Sequence, residues 1–266
     1  MTAGVVLFAY NNDQIDYVKL AAWSADRIRR HLKLPVCLIT DVVNADSQFD
    51  IVVRTETPTS SSRYFDDLDQ TVTWKNGNRA DAFELSPFDS TLVLDADYVV
   101  ASADLLTIFQ TAQEFSTPVQ AYDVTGINSF DNLNYFGQYR MPVCWATVLF
   151  FKKTPVVKLL FDTVKMVREN WKHYQDLYSV GRSPYRNDFA FAIAANLVHG
   201  QTGRWPSFPF ALPSVVPEHN IQQLGDDKFS VQYKLQNGKS RYVEIENQDF
   251  HAMGKRSLGN IVANSS

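Results

Sequence analysis

Cysteine is almost missing. Cys37 and Cys144 are the only two in 266 residues, and each sits between apolar neighbours. No Cys-x-x-Cys pair, zinc spacing or disulfide framework can be drawn from them, so they read as small buried hydrophobes of a reducing compartment. No apolar run approaches the roughly 18 residues that a membrane span needs, and the start, Met1-Thr-Ala-Gly-Val, has no basic leader region. These absences predict a soluble, cytoplasmic protein. Positive charge is not in excess either: 25 Lys and Arg stand against 29 Asp and Glu, a net charge of −4. That balance argues against holding bare nucleic acid through overall charge. The glycines form neither Gly-x-Gly-x-x-Gly after the first strand nor Gly-x-x-x-x-Gly-Lys-Ser/Thr, which removes the main support for dinucleotide and P-loop readings. Gly-x-Ser-x-Gly and His-Glu-x-x-His are absent too.

What is present is an alternation of short apolar runs and helical stretches. Gly4–Ala9 is a continuous apolar run, the pattern of a strand buried on both faces. The stretch 13–31 has helical periodicity and gathers Arg27, Arg29 and Arg30 near its end, where the helix dipole favours cations. Pro35–Thr40 is a second strand, so the first forty residues form a βαβ unit and predict a parallel sheet. Further strands are expected at Ile51–Arg54, Thr91–Leu94, Val119–Tyr122 and Trp145–Phe151. Helices are expected at Arg79–Leu85, Pro155–Trp171 and Asp188–Val198, and an antiparallel hairpin at 229–245 around Asn237-Gly238. The segments 123–142 and 200–220 carry no periodicity and read as long functional loops. No repeat or linker interrupts the chain, so one α/β domain over 1–266 is expected, its mostly parallel sheet flanked by helices on both faces.

The chemistry concentrates at Leu94-Asp95-Ala96-Asp97. Two carboxylates leave a buried strand together, and in open parallel sheets ligands bind beyond the carboxyl ends of the strands. Close carboxylates repel unless a cation lies between them, and hard oxygen ligands select Mg²⁺ or Mn²⁺. Near the other end of the chain, His251 precedes Gly254 and Lys255: a metal ligand, a close backbone approach and a phosphate-neutralising cation. Asp188 opens an apolar helix, either as its cap or as an acid facing the reaction centre. Tyr135, Phe136, Tyr139 and Trp145 are aromatic candidates for stacking on a sugar or for packing. His31, His173, His199 and His219 have no partner at ligand spacing.

On these residues the chain resembles GT-A-fold glycosyltransferases, most similar to the glycogenin-like and bacterial galactosyltransferase-like retaining group. The resemblance implies a Rossmann-related fold with a C-terminal hairpin and tail. Residues 1–122 would form a nucleotide-binding half and 123–266 an acceptor-side half. It implies nucleotide contacts from Ala9, Tyr10, Asn11, Ala96, Gly254 and Lys255. Arg79, sixteen residues before Asp95, would join them, and Asp95, Asp97 and His251 would hold Mn²⁺ or Mg²⁺. The group's Asn-Ser-Gly is replaced here by Cys144-Trp145-Ala146-Thr147. Its Asp-Gln pair appears as Asn187-Asp188-Phe189, with Asp188 in the place of the acid.

The expected activity is transfer of a sugar from a nucleoside diphosphate donor, a UDP-sugar above others, to an acceptor hydroxyl, with retention. The acceptor is expected to be a glycan, with a hydroxylated base in DNA as the alternative, and Asp188 is the candidate base if the reaction inverts. A nucleotidyltransferase is a competing reading, although Tyr10-Asn11-Asn12-Asp13 stands where its Gly-rich basic loop belongs. A non-catalytic nucleotide-sugar-binding protein is another, against which the intact acids and histidine speak. All of this requires His251 to reach Asp97 from the far half of the chain. The segment after the hairpin would have to fold back over the sheet, with contacts mostly to ligand.

Overall fold

Strand β1 (Ala3–Phe8) is the axis on which the main sheet is laid down. Helix α1 (Tyr17–Leu32) follows it, capped by Asp16, whose carboxylate accepts the Lys19 N–H at 3.0 Å. Strands β2 (Val36–Thr40) and β3 (Ile51–Arg54) complete the first crossovers. The computed structural model describes residues 2–45, 48–57, 61–65, 70–75, 77–112, 114–200 and 207–264. Residues 201–206, Pro206 among them, lie outside the described residues. A hairpin, β4 (Ser61–Phe65) and β5 (Gln70–Trp74), leads to a 3₁₀ turn at Gly77–Asp81 and the single-turn helix α2 (Ala82–Leu85). Ser86-Pro87 ends that helix, because a residue before proline avoids helical geometry.

Next come β6 (Ser90–Asp95), β7 (Tyr98–Val99), α3 (Leu106–Thr111), β8 (Phe115–Ser116) and β9 (Ala121–Asp123). The segment read as a loop holds α4 (Asp131–Asn134) and a two-stranded pair, β10 (Tyr135–Phe136) with β11 (Met141–Pro142). Then follow β12 (Val148–Lys152), α5 (Pro155–Glu169), α6 (Trp171–Leu177) and α7 (Asn187–His199). The chain closes with β13 (Leu212–Val215), β14 (Asn220–Gly225), β15 (Lys228–Lys234), β16 (Ser240–Glu246), β17 (Phe250–Ala252) and α8 (Lys255–Asn264).

The central sheet runs β3-β2-β1-β6-β12-β8. Its first four strands are parallel, and β12 is antiparallel to both β6 and β8. Helices cover both faces, as adjacent residues of β12 show. The Phe150 ring meets Phe109 of α3 at 5.1 Å, whereas Phe151, facing the other way, meets Phe161 of α5 at 4.9 Å. Phe161 also meets Phe191 of α7 at 5.3 Å. Cys37 and Cys144 are buried and unbridged. No helix among the described residues is long and apolar enough to cross a membrane.

A second sheet, β7-β17-β13-β9, decides where the site forms, and periodicity does not reveal it. Its strands are two to four residues long, and β13 contains Pro213 inside the stretch read as a proline-studded loop. Strand pairing at Asn237-Gly238 is as expected, but β14 extends the hairpin to a three-stranded antiparallel meander. Helix α1 starts later than the periodicity suggests, because Asp16 caps it. The strand expected from Trp145 begins at Val148, since Trp145 is turned inward to donate its indole N–H to Asn134.

Phe161 is fully buried among four other phenylalanine rings. Truncation there leaves a cavity under the sheet, so Phe161→Ala is expected to cost about 3–5 kcal/mol. Urea unfolding checks this, and a loss below about 1 kcal/mol contradicts the packing described.

Candidate active site

Asp95 ends β6 in register with Phe8, the last residue of β1, so its carboxylate stands at the carboxyl edge of the parallel strands. Ala96 is buried in the turn that follows, and Asp97 leads directly into β7. Strand β7 pairs antiparallel with β17, with His251 opposite Tyr98, and the Ala252 N–H donates to the Asp97 carbonyl at 3.0 Å. This pairing joins the two halves of the chain. His251 Nε2 lies 3.6 Å from Asp97 Oδ2, and one ligand atom from each of Asp95, Asp97 and His251 falls within 4.8 Å of the others. The segment carrying His251 is not held by ligand contacts, contrary to the expectation from sequence. Phe250 and Ala252 are fully buried, and Phe250 packs on Phe229 of β15 at 5.2 Å.

Two cations neutralise the acids. Arg79 stands on the 3₁₀ turn, which is pinned to α5 by Arg168 donating to the Gly77 carbonyl at 3.0 Å and by Lys165 between Asp81 and Glu84. From there the guanidinium, buried at 3% exposure, donates to the Asp95 carboxylate and to the Ala146 carbonyl. Burial lowers the Arg79 pKa to about 10, against the pull of Asp97 and Asp188. Lys255 Nζ, at the start of α8, lies 2.5 Å from Asp97 Oδ2 and 3.3 Å from the Met253 carbonyl. Burial alone would raise the Asp97 carboxyl, but Lys255 and His251 outweigh it and hold that carboxyl well below the usual carboxylate range.

Tyr10, Arg79, Asp95, Ala96, Asp97 and Lys255, all expected from sequence, line one cleft of about 80 Å³. Phe8, at the end of the opening apolar strand, lines it too, and Tyr17 and Lys75 do so without having been anticipated. Tyr17 had a positional signal, because the helix after β1 must start at the same sheet edge. Lys75 had none. Its ammonium donates to the Asn11 carbonyl at 2.7 Å.

The other candidates stand outside that lining. Ala9 is fully buried with its N–H spent on Ile39 at 3.0 Å. The Asn11 side chain accepts the Val18 N–H at 3.0 Å. Gly254 is packed against Pro217, whose backbone lies 3.3 Å from where a Cβ would sit. Asp188 does not cap α7. One of its oxygens accepts the Ala146 N–H at 3.0 Å, and the other accepts Arg186 Nε and Nη2 at 3.1 and 2.6 Å. The Ala146 peptide is thereby held from both sides, by Arg79 at its carbonyl and Asp188 at its N–H. Among the aromatic candidates, Trp145 and Phe136 are buried and Tyr139 is exposed. His219 and His31 have acidic partners, Asp123 at 3.6 Å and Asp227 at 2.9 Å, away from the cleft.

The donor set fits a divalent cation. Two carboxylates and an imidazole suit Mn²⁺, or Mg²⁺ through the oxygens. The His251 Nε2 atom is the one turned toward Asp97, while its Nδ1 is buried with no hydrogen-bond partner among the described residues.

No protein-family model and no curated protein sequence matches this chain. Three solved structures to which it is similar are named as glycosyltransferases. They are GlyE of Streptococcus pneumoniae TIGR4 (12% identity, TM-score 0.45, covering 79% of this chain and 46% of GlyE), the galactosyltransferase LgtC in complex with donor and acceptor sugar analogs (11%, 0.44, 71% and 69%), and mouse xyloside xylosyltransferase 1 (10%, 0.45, 73% and 81%). The chain thus spans less than half the length of GlyE. Likeness at this level identifies neither activity nor substrate.

Arg79 is not an exposed helix residue, so its removal acts on stability as well as on any ligand. Arg79→Ala leaves Asp95 and the Ala146 carbonyl unpaired. The expected loss is about 2–3 kcal/mol, below the usual figure for a fully buried pair because Asp95 keeps some solvent contact. Denaturant unfolding showing a change within about 0.5 kcal/mol, as for a surface site, contradicts the pairing.

Proposed function

We propose that this chain is a metal-dependent glycosyltransferase that moves a sugar from a nucleoside diphosphate donor, a UDP-sugar first, to an acceptor hydroxyl. The observation that carries the reading is the meeting of Asp95, Asp97 and His251 at the carboxyl edge of the parallel strands, beside one buried and one half-buried cation. Residues 1–122 then supply the nucleotide side with Asp95, Asp97 and Arg79, while 123–266 supply His251, Lys255 and the acceptor side. Asp95, Asp97 and His251 would hold Mn²⁺ or Mg²⁺, which offsets the charge developing on a diphosphate leaving group. Lys255 adds a second positive charge to the cleft, and Arg79 pairs with Asp95 and orients it.

The loop after β1 favours this reading over nucleotidyl transfer. Side chains of the loop take up backbone donors of the loop and of the helix after it: Asn12 accepts Gln14 and Ile15 N–H at 3.0 and 2.8 Å, and Asn11 accepts Val18 N–H of α1. A nucleotidyltransferase presents such donors to phosphate. In this reading phosphate charge is met by the side-chain cations that line the cleft.

Asp188 is a positioning group in this scheme. Both its oxygens are engaged, one by Arg186 and one by the backbone that Arg79 also grips. A base role would require breaking the Arg186 pair, so retention, which needs no base on the far face of the sugar, is the better match. The acceptor we infer is a glycan hydroxyl, with exposed Tyr139 available as a stacking surface.

Asp97→Asn keeps the side-chain shape and removes the charge. The expected result in calorimetry is loss of Mn²⁺-dependent UDP binding with the far-ultraviolet circular dichroism unchanged. Metal-dependent affinity equal to that of the native chain contradicts the assignment.

A further inference from the structure

The cleft at the sheet edge is about 80 Å³, well below the roughly 300–1,000 Å³ of typical ligand pockets. The side chain of Lys255 is one of its walls. Its ammonium lies 2.5 Å from Asp97 Oδ2, and His251 Nε2 lies 3.6 Å from that same oxygen. A cation held between His251 Nε2 and Asp97 Oδ2 would share that oxygen with the Lys255 ammonium. Both partners are largely withdrawn from water, with side-chain exposures of 16% for Lys255 and 5% for Asp97. An ammonium and a divalent ion sharing one carboxylate oxygen there would repel strongly, because little solvent screens them.

We propose that Lys255 is a built-in counter-ion that competes with a lone metal ion for Asp97, and that a diphosphate releases Asp97 by offering the ammonium an alternative anion. Metal and nucleotide then bind as a coupled pair. The inference rests on the metal reading above and adds a residue that opposes the metal when nucleotide is absent. Movement is confined to the four-carbon side chain. The backbone before it is held by β17 within its sheet and by Gly254, where an added Cβ would lie 3.3 Å from the Pro217 carbonyl oxygen. Tyr17, which also lines the cleft, borders the space that the side chain leaves.

The test is Mn²⁺ titration of the full chain, read from the electron paramagnetic resonance signal of free Mn²⁺, with and without saturating UDP. Native chain and Lys255→Met are compared. Without UDP, the variant is expected to bind Mn²⁺ at least about tenfold more tightly, the effect of removing one charged contact. With UDP, that advantage is expected to vanish or reverse, because only the native chain can place an ammonium on the diphosphate. Equal Mn²⁺ affinity of the two proteins without UDP, with UDP still strengthening Mn²⁺ binding to the native chain, overturns the counter-ion role and leaves the metal site standing. No Mn²⁺ binding to either protein, with or without UDP, overturns both. Should circular dichroism show Lys255→Met unfolded, Lys255→Gln keeps a polar group of shorter reach, and the same comparison decides.

Discussion

Two carboxylates leaving one strand end repel each other, and the molecule is arranged around that repulsion. Asp95, which keeps some solvent contact, and buried Asp97 stand on either side of a buried alanine, close enough to repel. Arg79 answers the first and Lys255 the second. Each cation comes from a different part of the chain, Arg79 from the 3₁₀ turn before the strand and Lys255 from the first residue of the last helix. Burial costs Arg79 some of its basicity, yet at a pKa of about 10 it stays charged near neutrality. The same balance makes the site responsive, because any group that replaces a cation there must also be positive.

Holding those charges in place takes a second sheet with its own supports. Arg27 of α1 lies between the rings of Trp23 and Phe229, at 5.0 and 5.3 Å. It donates to the Val100 carbonyl just after β7 and to the Asp226 carbonyl and Asp227 carboxylate beside β15. Asp249, two residues before His251, accepts the N–H groups of Ala101 and Ser102 at 2.7 and 2.8 Å. Burial pushes its carboxyl up to about 6. Helix α1, the meander and β17 thus fix the short strand on which Asp97 depends.

Much of this was legible in the sequence. The apolar runs gave β1, β2, β3 and β6 to within a residue or so, since a strand buried on both faces has a simple signature. The Asp-x-Asp at a strand end and the late histidine named three residues that the fold does bring together. Illegible were the short strands β7, β13 and β17, because two to four residues hold too few positions for a period to show, whereas β9 falls on the strand expected at Val119–Tyr122. Local side-chain accounting was hidden as well. Asn11 and Asp188 are the right residue types for ligand contacts, but both are occupied by backbone N–H groups that only the tertiary structure brings near. Lys75 belongs to the cleft through a hairpin with no motif of its own.

The central claim is that His251 and the two acids share one ion although they lie in opposite halves of the chain. Electron spin echo envelope modulation on the Mn²⁺-loaded protein with UDP reads it most directly, because a coordinated imidazole nitrogen modulates the manganese echo. The account predicts a nitrogen modulation in the native chain that is lost in His251→Gln while Mn²⁺ stays bound through the carboxylates. A native spectrum without nitrogen modulation, or one that His251→Gln leaves unchanged, would contradict it.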